Sequence, residues 1–210
     1  MTTYQLRLLL HSIKKKIFPI RGSGNKIIYS SKQYKTKFDI IGNNNLVNLK
    51  DAKIHNTQIY IRGNNHSLVI EDGCYIKNTI IKLEDNYCSV FIGSKTTIEG
   101  AEIDVKEDKN EVKIGQNCML STGIYITSSD SHSVCNFDNG SRINEGRSVH
   151  ISDNVWVGRQ STILKGSNVG KGSIVAAGSL VTGSLDEQSV YAGVPAKKIS
   201  ENIMWLRERV

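Results

Sequence analysis

No apolar run in the chain approaches the ~18 residues that would cross a bilayer as a helix, which excludes a membrane-spanning segment of that kind. The 4 cysteines, Cys74, Cys88, Cys118 and Cys135, form no C-x-x-C pair. No His or Cys partner stands at zinc-site intervals either, so a zinc ribbon or finger is excluded and free thiols in a reducing compartment are predicted. Proline is nearly missing, with 2 in 210 residues, while Asn, Ser, Gly and β-branched residues abound. Acidic residues are too few to balance the basic ones, and the net charge is +7. The lysines are nevertheless scattered and no RNA- or DNA-binding signature appears, which directs the charge toward an anionic cofactor, an acidic substrate or a membrane surface. The opening stretch YQLRLLLHSIKKKIF is too short and polar for a signal-peptide core and lacks a small-residue cleavage site, so a cytoplasmic protein is expected.

What the sequence has instead is repetition. Hydrophobic content of 39% and charged content of 22% suit a soluble globular chain, and its length suits one domain. From Val47 to Ser133 aliphatic residues recur every 22 positions: Ile70, Ile92 and Ile114 in one column, and Ile54, Ile76, Ile98 and Leu120 in a second. Ile61, Leu83 and Val105 make a third, which Ile126 is expected to continue one residue short. From Ile151 the period tightens to six, with ISDNVW, VGRQST, ILKGSN, VGKGSI, VAAGSL and VTGSLD in succession. A period of six drifts around a helix and never makes a stripe. Short strands joined by tight turns can use it, each hexapeptide sending one aliphatic inward and stacked coils burying a continuous column.

These hexapeptides resemble the hexapeptide-repeat acyltransferases. The resemblance implies an all-β fold, a left-handed parallel β-helix with three hexapeptides to each triangular coil. The 22-residue coils are then the same triangle with one longer corner, at GNNHS, EDNYCS, KEDKNE and SSDSHS. His132 lies on the last of these. His66 lies on an earlier one and reads as a solvated turn residue. After His132 the segment CNFDNGSRINEGR, Cys135 to Arg147, abandons the repeat. A loop thrown out of a rigid stack is where binding and catalysis usually sit.

The run from DSHSV to GVPAKK is similar to the active half of sugar O-acetyltransferases of this fold, with the capsular sialic acid O-acetyltransferases nearest. That likeness implies His132 as catalytic base and Trp156 lining the same site. It implies acetyl-CoA as co-substrate, a saccharide acceptor, no metal, no nucleic acid, and a homotrimer with active sites between neighbouring β-helices. Backbone near Gly158 and Ala177 is implied to hold the pantetheine arm, with Arg159, Lys197 or Lys198 at the phosphates. Gly183 departs from the pattern, standing where many relatives carry a lysine. Arg142 and Asn144 match the family's inserted loop and are assigned to the sugar. Asp130 is grouped with them; it either orients the imidazole or caps the turn. The expected reaction acetylates a sugar hydroxyl of a bacterial capsular or lipopolysaccharide. An N-acetyltransferase for a nucleotide-linked amino sugar is the alternative. A zinc carbonic anhydrase of this fold would need three ligand histidines, and only His132 and His150 flank the presumed site.

The expected organisation is a basic amphipathic helix or cap over 1–24, the β-helix over 25–194 with its inserted loop at about 133–148, and a tail with a short helix over 195–210. Leu6, Leu9, Leu10, Ile13 and Ile17 make the apolar stripe of the first helix. Two roles suit it, a cover for the open first coil and attachment to the anionic inner face of a membrane. Ser200 is the expected N-cap of the second helix.

Overall fold

The computed structural model describes residues 20–30 and 33–209, and every regular element among them is a strand. The strands stack into three sheets of eight, and the chain visits the first, second and third sheet in turn before climbing one coil. All pairing is parallel until the final strand, Lys197–Ser200, which runs antiparallel to Val190–Ala192. The result is a three-sided parallel β-helix.

Its interior follows from the two periods in the sequence. Ile70, Ile92 and Ile114 pair in register, as do Ile54, Ile76, Ile98 and Leu120. In the hexapeptide half Ile151 lies against Val169, Val157 against Val175 and Ile163 against Val181. Each of these aliphatics is at most 2% exposed, as is the fifth-place row of Val155, Ser161, Ser167, Ser173 and Ser179. Ser161, Ser167 and Ser173 donate to carbonyls of the next coil, as Ser161 Oγ does to Ala176 O at 2.9 Å, and Ser179 Oγ accepts from Gly193 N–H. Cys74, Cys88 and Cys118 are buried free thiols, and burial pushes each of them up, to about 11, 12 and 11 respectively. Asparagine does the work of the corners. Asn44, Asn56, Asn65, Asn78, Asn117 and Asn154 take positive φ, a conformation Asn tolerates, and Asn56 and Asn117 pass side-chain hydrogen bonds to Asn78 and Asn154 one coil on.

Ile126 does not continue the column of Ile61, Leu83 and Val105. It pairs with Ile103, below Ile81 and Ile59, because an extra residue before Ile124 shifts the register. The C-terminal helix does not form. Ser200 ends a strand, and residues 201–209 run irregularly along the outside of the coils. A helix of this length is marginal alone, and here the β-helix supplies better partners. Ile203 N–H donates to Gln188 O, the Trp205 indole to Asn154 O at 2.7 Å, and the Arg207 guanidinium to Cys118 O at 2.8 Å. The N-terminal stripe from Leu6 to Ile17 lies outside the described residues. Among the described residues no helix is long and apolar enough to cross a membrane.

Candidate active site

The first-sheet strand Ile124–Thr127 should turn directly into the second sheet, but the chain leaves the stack at Ser128. It returns at Arg147, whose N–H donates to Ser128 O at 2.9 Å and closes the excursion at its base. Two arms form within it, joined by a bridge between Cys135 and Arg142 and by Ile143 N–H donating to Val134 O. The Asn136 side chain accepts from the amides of Asp138 and Asn139 and fixes the tip. Two of the four residues before His132, Ser128 and Ser129, are buried; Asp130, Ser131 and His132 itself are exposed. Its imidazole makes no hydrogen bond among the described residues, while its backbone carbonyl accepts from Asn144 Nδ2 at 2.8 Å. The ring is free; the backbone that carries it is held.

The residues assigned to the sugar are engaged in that holding. Asn144 Nδ2 also donates to Asp130 Oδ2 at 2.8 Å, and Asn144 Oδ1 accepts from Val134 N–H at 2.7 Å. Asp130 does not bond the imidazole. Its carboxylate meets Lys165 Nζ at 2.6 Å, and that bond, with the one from Asn144, holds its pKa below the usual carboxylate value. Arg142 grips Glu107 with both terminal nitrogens, at 2.7 and 3.0 Å. Glu107 and Lys165 were not singled out by sequence. One sits in the turn KEDKNE and the other in a hexapeptide corner, where an acid or a lysine looks like ordinary solvent cover.

His66 differs from what its turn setting suggested. It is 1% exposed, with Nδ1 accepting from Cys88 N–H at 3.1 Å and Nε2 facing Arg62 O at 3.3 Å. The corner turns that ring inward, so His66 is a structural residue and not a solvated one.

Trp156 opens the third-sheet strand Trp156–Val157, with Val157 pointing inward and the indole outward, 37% exposed. Trp205 of the tail lies beside it, ring centroids 6.2 Å apart. His132 belongs to the edge between the first and second sheets, which in a three-sided prism is opposite the third. A single β-helix therefore does not bring His132 and Trp156 together.

The residues assigned to the co-substrate do fall into one row. Gly158 follows Trp156, and its N–H donates to Val175 O at 2.7 Å. A Cβ there would come within 2.5 Å of Ala177 N, so only glycine permits this approach of successive coils. Ala177 is exposed on the next coil, and the strand Val190–Ala192 continues the row with Lys197 paired beside Ala192. Lys198 is tied to Asp186 at 2.7 Å and to Glu201. Lys197 and Arg159 are exposed and pair with no acid among the described residues. A groove of about 650 Å³ lies between the tail and the coils, lined in part by Asn154, Lys171, Gln188, Trp205 and Arg207, and it includes neither His132 nor Trp156.

Residues 112–128 and 148–183 match the family described as the hexapeptide repeat of succinyl-transferase. Over 175 residues the chain is 42% identical to a polysialic acid O-acetyltransferase of Neisseria meningitidis, covering 82% of this chain and 80% of that protein. The chain belongs to the polysialic acid O-acetyltransferase family. A second member, from Escherichia coli O1:K1 / APEC, is 44% identical over 132 residues, 63% of this chain and 42% of that protein. Among solved structures, the polysialic acid O-acetyltransferase OatWY superposes with a TM-score of 0.87 at 36% identity, covering 90% of this chain and 91% of the other. The polySia-specific acetyltransferase NeuO does so with a TM-score of 0.84 at 35% identity, covering 90% and 87%. As a member of this family the chain is an acyltransferase, and the three-sided β-helix is the fold it shares with those two structures.

Proposed function

We propose that this chain transfers the acetyl group of acetyl-CoA to a hydroxyl of sialic acid in a capsular polysaccharide, with His132 as general base. The observation that carries the proposal is the unpartnered imidazole of His132, exposed on a loop whose backbone is fixed from several sides. A sugar hydroxyl is a poor nucleophile at neutral pH, whereas a thioester carbonyl is a good electrophile. A neutral imidazole is suited to take the hydroxyl proton as the oxygen attacks, and later to return it to the leaving sulfur. The new bond is an oxygen–acyl bond, the broken one a carbon–sulfur bond, and no second nucleophile is needed.

The residues of the third-sheet row fit a narrow thiol arm ending in phosphates. Gly158 is buried and lets successive coils close up, and the small exposed Ala177 leaves room for such an arm beside them. Arg159 and Lys197 offer cationic heads with no acid already paired to them, which Lys198 does not. Because His132 and Trp156 stand on opposite parts of one β-helix, the working site joins two chains, and a homotrimer supplies that arrangement around a three-sided stack. Two relatives, at 42% and 44% identity, are named for O-acetylation, and no geometry here favours an amine acceptor.

The direct test supplies acetyl-CoA and polysialic acid to the purified protein and identifies the product by mass spectrometry. The expected product gains acetyl groups that mild base removes, as an ester requires. Acetyl groups stable to base, or transfer to a nucleotide-linked amino sugar with none to polysialic acid, contradict the proposal.

A further inference from the structure

The excursion carrying His132 is gripped by two residues of opposite charge, one on the coil before it and one on the coil after. On the preceding coil, the Glu107 carboxylate accepts from Ser129 Oγ at 2.6 Å, from Gly146 N–H at 2.9 Å and from both terminal nitrogens of Arg142. Those contacts reach the outgoing arm, the returning arm and the base of the loop from one side chain. On the following coil, Lys165 Nζ donates to Asn144 O at 2.6 Å and Glu145 O at 3.1 Å, and meets Asp130 Oδ2 at 2.6 Å. The two sets converge on Asn144. Arg142 Nε donates to Asn144 Oδ1 at 3.3 Å, and Asn144 Nδ2 donates to the carbonyl of His132 itself.

The backbone of Glu107 is an ordinary corner backbone, since Asp85 in the same row one coil earlier shares its positive φ, at +69° against +67°. What sets Glu107 apart is where its carboxylate reaches, and that carboxylate is strongly committed to the charged form. Burial alone would raise its pKa, but the hydrogen bonds from Arg142, Ser129 and Gly146 outweigh that and draw it down to about 2. A carboxylate delivered to three points of one loop is what an anchor requires.

We infer that Glu107 and Lys165 form a clamp that positions His132 for proton transfer, acting through Arg142, Asp130 and Asn144 without touching the substrate. The inference rests on His132 being the general base, as proposed above. A misplacement of a reacting group by about 1 Å can cost on the order of 10²-fold in rate, and supporting residues around a site commonly carry 10- to 100-fold effects. Neither residue contributes to the aliphatic columns, so loosening the clamp leaves the stack intact.

The test measures kcat and the KM for acetyl-CoA for Glu107→Gln and Lys165→Met, each in the wild-type background and again with His132→Ala. In the wild-type background each variant is expected to lower kcat by roughly 10- to 100-fold, with KM for acetyl-CoA unchanged. With His132 already removed, neither is expected to lower the residual rate further, since nothing remains to be positioned. Lys165→Met carries the test should Glu107→Gln fail to fold. Wild-type kcat in both variants, while His132→Ala is impaired, overturns the clamp and leaves the general base standing. An equal fold loss in both backgrounds also overturns it, because the residues then act on the fold and not through His132. Full turnover in His132→Ala overturns the general-base reading itself.

Discussion

His66 and His132 occupy matching corners of the 22-residue repeat, and the sequence around each is a polar turn. Only packing separates them. His66 turns inward to meet Cys88 N–H and Arg62 O, whereas His132 is carried outward by an excursion that begins before it. The outward placement of His132 is legible because a broken rhythm follows it; the inward turn of His66 is not, since a corner histidine can rotate either way without changing the pattern. His66→Ala is therefore expected to destabilise the protein by about 1–3 kcal/mol, through an unsatisfied Cys88 amide and a lost core contact, and to leave the folded protein's turnover intact. Thermal melting alongside kcat checks this. The wild-type protein carries a matching pH signature. Burial lowers the His66 pKa in the folded state, so around and below the ordinary value near 6.5 the unfolded chain binds the extra proton first. The contribution of His66 is full above that value and is lost as pH falls from it toward the folded value. His66→Ala should remove that part of the acid sensitivity.

Strands that repeat are legible in the sequence; segments outside the repeat are less so. The columns at Ile70 and Ile54 and the hexapeptide rows follow directly from spacing, because each inward side chain has one register that buries it. The misplacement of Ile126 came from one added residue before Ile124, which spacing alone could not assign to a strand or a corner. The tail shows a tertiary override. ENIMWLRERV has helical spacing, yet its donors find fixed acceptors on the stack, with Arg207 reaching Thr97 Oγ1 at 3.0 Å as well as Cys118 O. Arg207→Ala should free the tail without disturbing the coils. Limited proteolysis is expected to cut after residue 200 faster than in the wild-type protein, while melting changes by no more than about 1 kcal/mol in stability. A fall of several kcal/mol would show that the tail belongs to the core.

At the scale of the whole molecule, the β-helix is a rigid column whose functional groups are placed by coil and by side. The edge between the first and second sheets holds the His132 excursion between Glu107 and Lys165; the third side holds Trp156 and the row from Gly158 to Lys197. The sequence made each set visible in part, through the interrupted repeat and the family likeness. It could not show that the sets stand apart in one chain, because spacing along the sequence does not say which side of a prism a residue faces. On the proposed function, that separation calls for a neighbouring copy to complete the site.

The most direct measurement of this account is the turnover number of His132→Ala with acetyl-CoA and polysialic acid. Removing an exposed side chain with no hydrogen-bond partner among the described residues should leave the melting temperature near that of the wild-type protein. The loss of a general base should lower kcat by roughly 10²–10⁴-fold. A correctly folded His132→Ala protein with wild-type kcat would contradict the account.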